Sequence, residues 1–333
     1  MPLEGVVRGG SRRSGDKHRS QKESAMKLNV LRASQAAGIA ILLALGTAAF
    51  ADELDDAYAA MQAAAKGDDT ALTKKTALDL CAAVKKYSAS PVPENPVEKE
   101  EFTKRVEWGK SIQVEAEYAI YAAALKSPAE TKLDLLTALE EENPKSRYME
   151  LGYSVLLGAL TETGQSAKGP EVAERAVANF PNDISSLLVL TEDAYGKRQK
   201  DKALGYAKRM VASAGKGKPE DLSEADWERL KGIGLTRGYW YSGVIEGEKN
   251  QYFPCNADLR LALPLVKGTD AMYGPALYYL GVCNYHIGHE TANKQMEVEA
   301  QHFFEQCAQV KTTVSQNCFT SAAAVKKESA AMR

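Results

Sequence analysis

Residues 276–307 decide the fold. They open as ALYYLGVCNYHIGH (Ala276–His289) and, after a short insertion, close as AQHFFEQC (Ala300–Cys307). Leu277, Leu280, Gly281 and Asn284 recur three and four residues apart, the period of one helix face. Ala300, Phe304 and Cys307 repeat that spacing on a second helix. Gly281 and Ala300 carry little or no side chain, so two antiparallel helices can nearly touch there. Leu277, Leu280 and Phe304 fill the seams on either side.

Working outward, the same pattern recurs upstream. Tyr239, Ser242, Gly243 and Glu246 lead to Cys255, Leu259 and Ala262. Before them stand Leu187, Leu190, Thr191 and Ala194, followed by Ala203, Ala207 and Met210, with Gly215 ending that helix. Shifted back 34 residues, the first helix carries Tyr153, Leu156, Leu157 and Leu160; its partner has Gly169, Ala173 and Ala176, with Pro181 as stop. A further 37 residues back lie Ala116, Ala119, Ile120 and Ala123, then Lys132, Leu136 and Leu139, with Pro144 as stop. The stretch KGKPEDLSEADWERLKG (Lys216–Gly232) reads as a break between the third and fourth pairs. Runs of β-branched residues with period-two alternation are scarce and alanine is common, which also favours helix.

These residues resemble the tetratricopeptide repeat, a helix pair with small residues at the crossing and a proline at its end. LYYLGVCN with AQHFFEQC, and KLDLLTALEEENP (Lys132–Pro144), carry the resemblance most clearly. It covers residues 99–312. Lys132 and Gly169 stand where the family prefers alanine, and Pro264 falls inside the second helix of the fourth pair. The resemblance implies an all-α protein, an α-solenoid of about five antiparallel helix pairs. A single pair cannot bury both of its faces, so its neighbours must stack on it.

In the family, the first helix of each pair lines a concave groove that holds a protein or peptide. Carried over, the groove presents Glu117 and Tyr121, then Ser154 and Thr161, then Leu188, Glu192 and Tyr195. Arg237, Trp240 and Val244 follow, and finally Tyr278, Val282 and Tyr285. Tyrosine and tryptophan suit such a face, because they bury much area at little entropic cost.

The flanks have other roles. Residues 1–25 are polar, basic and aperiodic, an upstream extension if Met26 is the true start. From Met26, Lys27 and Arg32 precede a fourteen-residue apolar run, Ala36–Ala49, and Ala49-Phe50-Ala51 places small residues for a peptidase. Residues 26–51 thus read as a secretory signal peptide cleaved after Ala51, with the product periplasmic or secreted. The run is too short for a stable membrane span. Residues 52–98 form a helical segment ending in a linker with Pro91, Pro93 and Pro96. Residues 313–333 supply a capping helix and tail.

Residues 1–51 hold 8 of the 42 Lys+Arg and 3 of the 44 Asp+Glu, so the exported part carries a net charge of −7. An acidic balance argues against a nucleic-acid partner, which needs a cationic face. No metalloprotease His pair, phosphate loop or nucleophile elbow appears, so neither catalysis nor a cofactor is expected. His286 and His289 share a helix face and His302 follows on the next helix. They make a metal-binding protein or enzyme the main alternative, although Gly288 is read as ending that helix. A purely structural, self-associating protein built on Trp240 is the other alternative. Five cysteines follow Ala51, so at least one is free or paired with another chain. Cys283 fits core packing. It also fits a disulfide with Cys255 on the preceding helix. Cys307 and Cys318 flank a turn and form the second possible pair.

Overall fold

A computed structural model describes residues 48–219 and 222–331. The upstream extension over 1–25 and nearly all of the signal peptide expected over 26–51 lie outside the described residues. Among the described residues there are thirteen α-helices, one 3-10 turn and no strand. The helices are α1 (Ala48–Ala65), α2 (Thr70–Ser88), α3 (Pro96–Lys126), α4 (Ala129–Glu142), α5 (Arg147–Glu162) and α6 (Gly169–Asn179). Then come α7 (Ile184–Gly196), α8 (Lys200–Ala214), α9 (Glu224–Glu248), α10 (Tyr252–Val266), α11 (Asp270–Thr291), α12 (Lys294–Gln309) and α13 (Ser315–Ala331). The 3-10 turn, Ser166–Lys168, precedes α6.

Local chemistry sets the helix starts. Asp69, Asn95, Ser146, Asp183, Ser223 and Asn293 each stand at an N-cap, where a side-chain oxygen accepts from a first-turn amide. Pro96 follows Asn95 at a position whose amide would be unpaired anyway.

One turn is used four times. Gly164, Arg198, Asn250 and Ala292 all have positive φ, at 72°, 59°, 59° and 52°. After each, the next amide reaches back five residues. Gln165 bonds to Leu160 O, Gln199 to Ala194 O, Gln251 to Glu246 O and Asn293 to Gly288 O, at 2.7–2.9 Å. This left-handed cap closes α5, α7, α9 and α11 in the same way and sends the chain back along the next helix. The return turns of the first two pairs also match. Asn143 and Phe180 bond to the fourth residue back, and the caps Ser146 and Asp183 bond to them. Pro144 and Pro181 stand inside these turns.

Each helix from α2 onward packs on the next along the chain, and α3, α5, α7, α9 and α11 also touch in that order. The architecture is therefore all-helical and repeat-like. Nearly every residue of the recurring sequence pattern is buried; Ala123, Lys132 and Tyr239 are half-buried. Close crossings explain the small residues. A Cβ on Gly281 would stand 2.6 Å from the Phe304 ring, and one on Gly243 would collide with Leu259. Leu280 is fully buried, so its truncation to alanine costs about 2–5 kcal/mol.

Leu54, Leu80 and Val84, before the proline-rich stretch, share one cluster with Ile112, Ile120 and Leu136 after it. Two features depart from the sequence reading. The break over 216–232 ends at Ser223, which caps α9, and Trp227 is buried beside Ile184 and Met210. Gly288 does not end α11, which runs on to Thr291. Gly288 lies instead at a crossing, where a Cβ would stand 2.8 Å from Glu297.

Candidate functional site

A hollow with a volume of about 940 Å³ lies between the α5–α6 and α7–α8 pairs. Its floor is apolar, made by Leu157 and Leu160 of α5 and Val189 of α7. Its rim is charged. Glu171 and Glu174 come from α6, Glu192 and Asp193 from α7, Lys197 from the C-cap of α7 and Lys202 from the start of α8. Thr161 adds a hydroxyl beside the floor. The left-handed turns at Gly164 and Arg198 bound this end of both pairs, so the repeated turn geometry positions the hollow.

Most rim charges already have partners. Asp193 holds Lys197 at 2.8 Å, Glu174 holds Lys202 at 3.4 Å and Glu171 holds Arg175 at 3.0 Å. Glu192 is exposed and accepts one long hydrogen bond, 3.4 Å, from Tyr241 Oη. These surface pairs are worth little energy, so a ligand can displace them at low cost.

The other groove residues expected from the sequence are spread along the first helices of the pairs. Ser154 and Leu188 are half-buried. Tyr195 donates to Glu248 at 2.8 Å, and Tyr279 donates to the same oxygen at 3.4 Å. Burial first, then the Glu248 carboxylate, push the Tyr195 hydroxyl well above its ordinary range. Tyr121 stacks on Tyr148, 5.9 Å between ring centres, and Tyr148 also contacts Tyr118 at 5.3 Å. Arg237 points one guanidinium nitrogen at Met272 Sδ, 3.5 Å away.

Three of the expected residues are buried within the protein. Glu117 is 3% exposed and accepts from Asn143 Nδ2 at 2.8 Å and Ser146 Oγ at 2.7 Å. Trp240 donates its indole N–H to Met272 O at 2.8 Å, and Val244 joins the same core. At the far end, Tyr278, Val282 and Tyr285, with Ala322 of α13, pack against the buried cluster of Ala300, Phe304 and Val325. Tyr285 Oη donates to Glu328 at 2.7 Å.

The histidines go to separate partners. His286 stacks face to face on Tyr252 at 4.2 Å. His289 lies 3.2 Å from Glu328, and His302 lies 3.6 Å from Glu305 on its own helix. Among the described residues no three His, Cys, Asp or Glu side chains converge on one point. Cys255 is joined to Cys283 and Cys307 to Cys318, with Cα separations of 6.5 and 5.7 Å. Cys81 is free and buried; burial, then Glu142, push its thiol up to about 12.

Sequence reasoning missed the rim residues Glu171, Glu174 and Asp193. They look like ordinary wet helix surface. Only the packing of α6 beside α7 brings them around one hollow. Compared with family models, curated proteins and solved structures, the chain matches none.

Proposed function

We propose that this chain is an exported scaffold of the tetratricopeptide type, acting in a bacterial cell envelope, that binds a segment of another protein and performs no catalysis. The hollow between the second and third pairs is the working site. The observation carrying this reading is its construction: an apolar floor of Leu157, Leu160 and Val189 under a charged, exposed rim. The floor takes an apolar side chain of the bound segment, and the rim orients its backbone and neighbouring polar groups. The order in which α3, α5, α7, α9 and α11 touch supports the solenoid reading, and the four identical turns support its repeats. Export rests on the sequence of residues 26–51.

The experiment places a photoreactive residue at Glu192 in the full chain, expressed in its native cells, with the same residue at exposed Leu261 as control. A defined protein recovered from Glu192 but not from Leu261, and lost when Val189→Asp charges the floor, is the expected result. Identical recovery from both positions, or none from Glu192, contradicts the proposal.

A further inference from the structure

The hollow between the second and third pairs carries an excess of negative charge. Four acids line it, Glu171, Glu174, Glu192 and Asp193, against two bases, Lys197 and Lys202. Lys168 and Arg198 stand in the turns beside it but do not line it. The two bases answer two of the acids: Lys197 lies 2.8 Å from Asp193, and Lys202 lies 3.4 Å from Glu174.

Glu171 and Glu192 are left over. Glu171 meets a cation at Arg175 Nη1, 3.0 Å away. That guanidinium also holds the buried Glu140 with two bonds, Nε to Oε1 at 2.8 Å and Nη2 to Oε2 at 3.0 Å. One positive charge therefore serves two carboxylates. Glu192 accepts from the Tyr241 hydroxyl at 3.4 Å and, among the described residues, pairs with no cation. Glu171 belongs to α6 and Glu192 to α7, so each flanking pair contributes one surplus charge. Protein walls polarise less than water and concentrate the field of such charges in a cleft. The hollow and its apolar floor make the site; the surplus acids set the sign of what enters it.

We propose, on the reading of the hollow as a binding site, that it selects a basic segment: one apolar side chain rests on Leu157, Leu160 and Val189, and a lysine or arginine on either side of it faces Glu171 and Glu192. In an extended segment, side chains two residues apart point the same way. Basic residues two before and two after the apolar one therefore reach the same hollow. An acidic segment would meet like charge, and a neutral one would leave both acids to water. Glu171 and Glu192 are exposed, so each contact is weak singly and is screened by salt.

The test titrates the full chain into four fluorescent heptapeptides and reads their anisotropy. The probe is Ser-Arg-Ser-Leu-Ser-Arg-Ser. Two relatives carry glutamine or glutamate in place of both arginines, and the fourth carries serine in place of leucine. At low salt the arginine peptide should bind about three- to tenfold more tightly than the glutamine peptide, and the glutamate peptide more weakly still. Added salt should shrink the preference. A double variant, Glu171→Gln with Glu192→Gln, changes only exposed side chains and should abolish it. Exchanging leucine for serine should weaken binding to either protein. Equal binding of the three leucine peptides, lost without the leucine, overturns the basic preference and leaves the hollow as a binding site. A preference that survives in the double variant also overturns it, because the net charge of the chain would then be its source. Absence of binding by every leucine peptide overturns both.

Discussion

Ser146 Oγ donates to Glu117 Oε2 at 2.7 Å, across 29 residues of chain. Ser146 caps α5, and Glu117 lies inside α3, so this bond ties the start of one pair to the body of the previous one. Asn143 donates to the other Glu117 oxygen. Glu117→Ala removes the acceptor and leaves two donors unpaired, Ser146 in a buried setting. The expected loss is about 1–3 kcal/mol, read as a lower midpoint in urea unfolding. Glu117→Gln, which keeps one acceptor, should lose less. A neutral Glu117→Ala would mean that the α3–α5 tie is not formed.

Ala292 and Gly281 predict effects of opposite sign on one helix. Ala292 holds φ at 52°, where an L side chain is strained and glycine is not. Ala292→Gly should stabilise by up to about 1 kcal/mol, even against the extra freedom it gives the unfolded chain. Gly281→Ala places a methyl against the Phe304 ring and should cost about 1–3 kcal/mol. Thermal melts of the two variants check this directly, and a shift in the same direction would contradict the packing of α11 on α12.

The crossing residues were legible in the sequence because packing demands a residue type there: small at Gly243 and Gly281, large at Leu280 and Phe304. The turns were not. Gly164, Arg198, Asn250 and Ala292 share one backbone geometry but no residue type, since a backbone bond five residues back defines it. The buried acids were illegible for a different reason. Glu117 reads as a groove residue and Glu246 as part of the recurring packing pattern, and neither reading shows their partners Ser146 and Lys208, which are distant in sequence. The start of α9 was hidden by Gly232 and Gly234 among charged residues. The Ser223 cap and buried Trp227 outweigh them.

The cysteines give a count. Four are paired and Cys81 is buried and free. Denatured without reductant, the protein should expose one titratable thiol; after reduction it should expose five. Replacing Cys255 and Cys283 together by serine should cost about 2–4 kcal/mol, because that link restrains the unfolded chain. Three thiols before reduction would show that one of the two bridges is absent.

The central claim is that each helix pair leans only on its neighbours. The most direct measurement is circular dichroism melting of residues 52–268, with Cys255 changed to serine, which removes α11, α12 and α13. A stack of pairs predicts that the shortened chain keeps its helix content per residue and melts cooperatively at a lower temperature. Loss of helix throughout the remaining chain would contradict the claim.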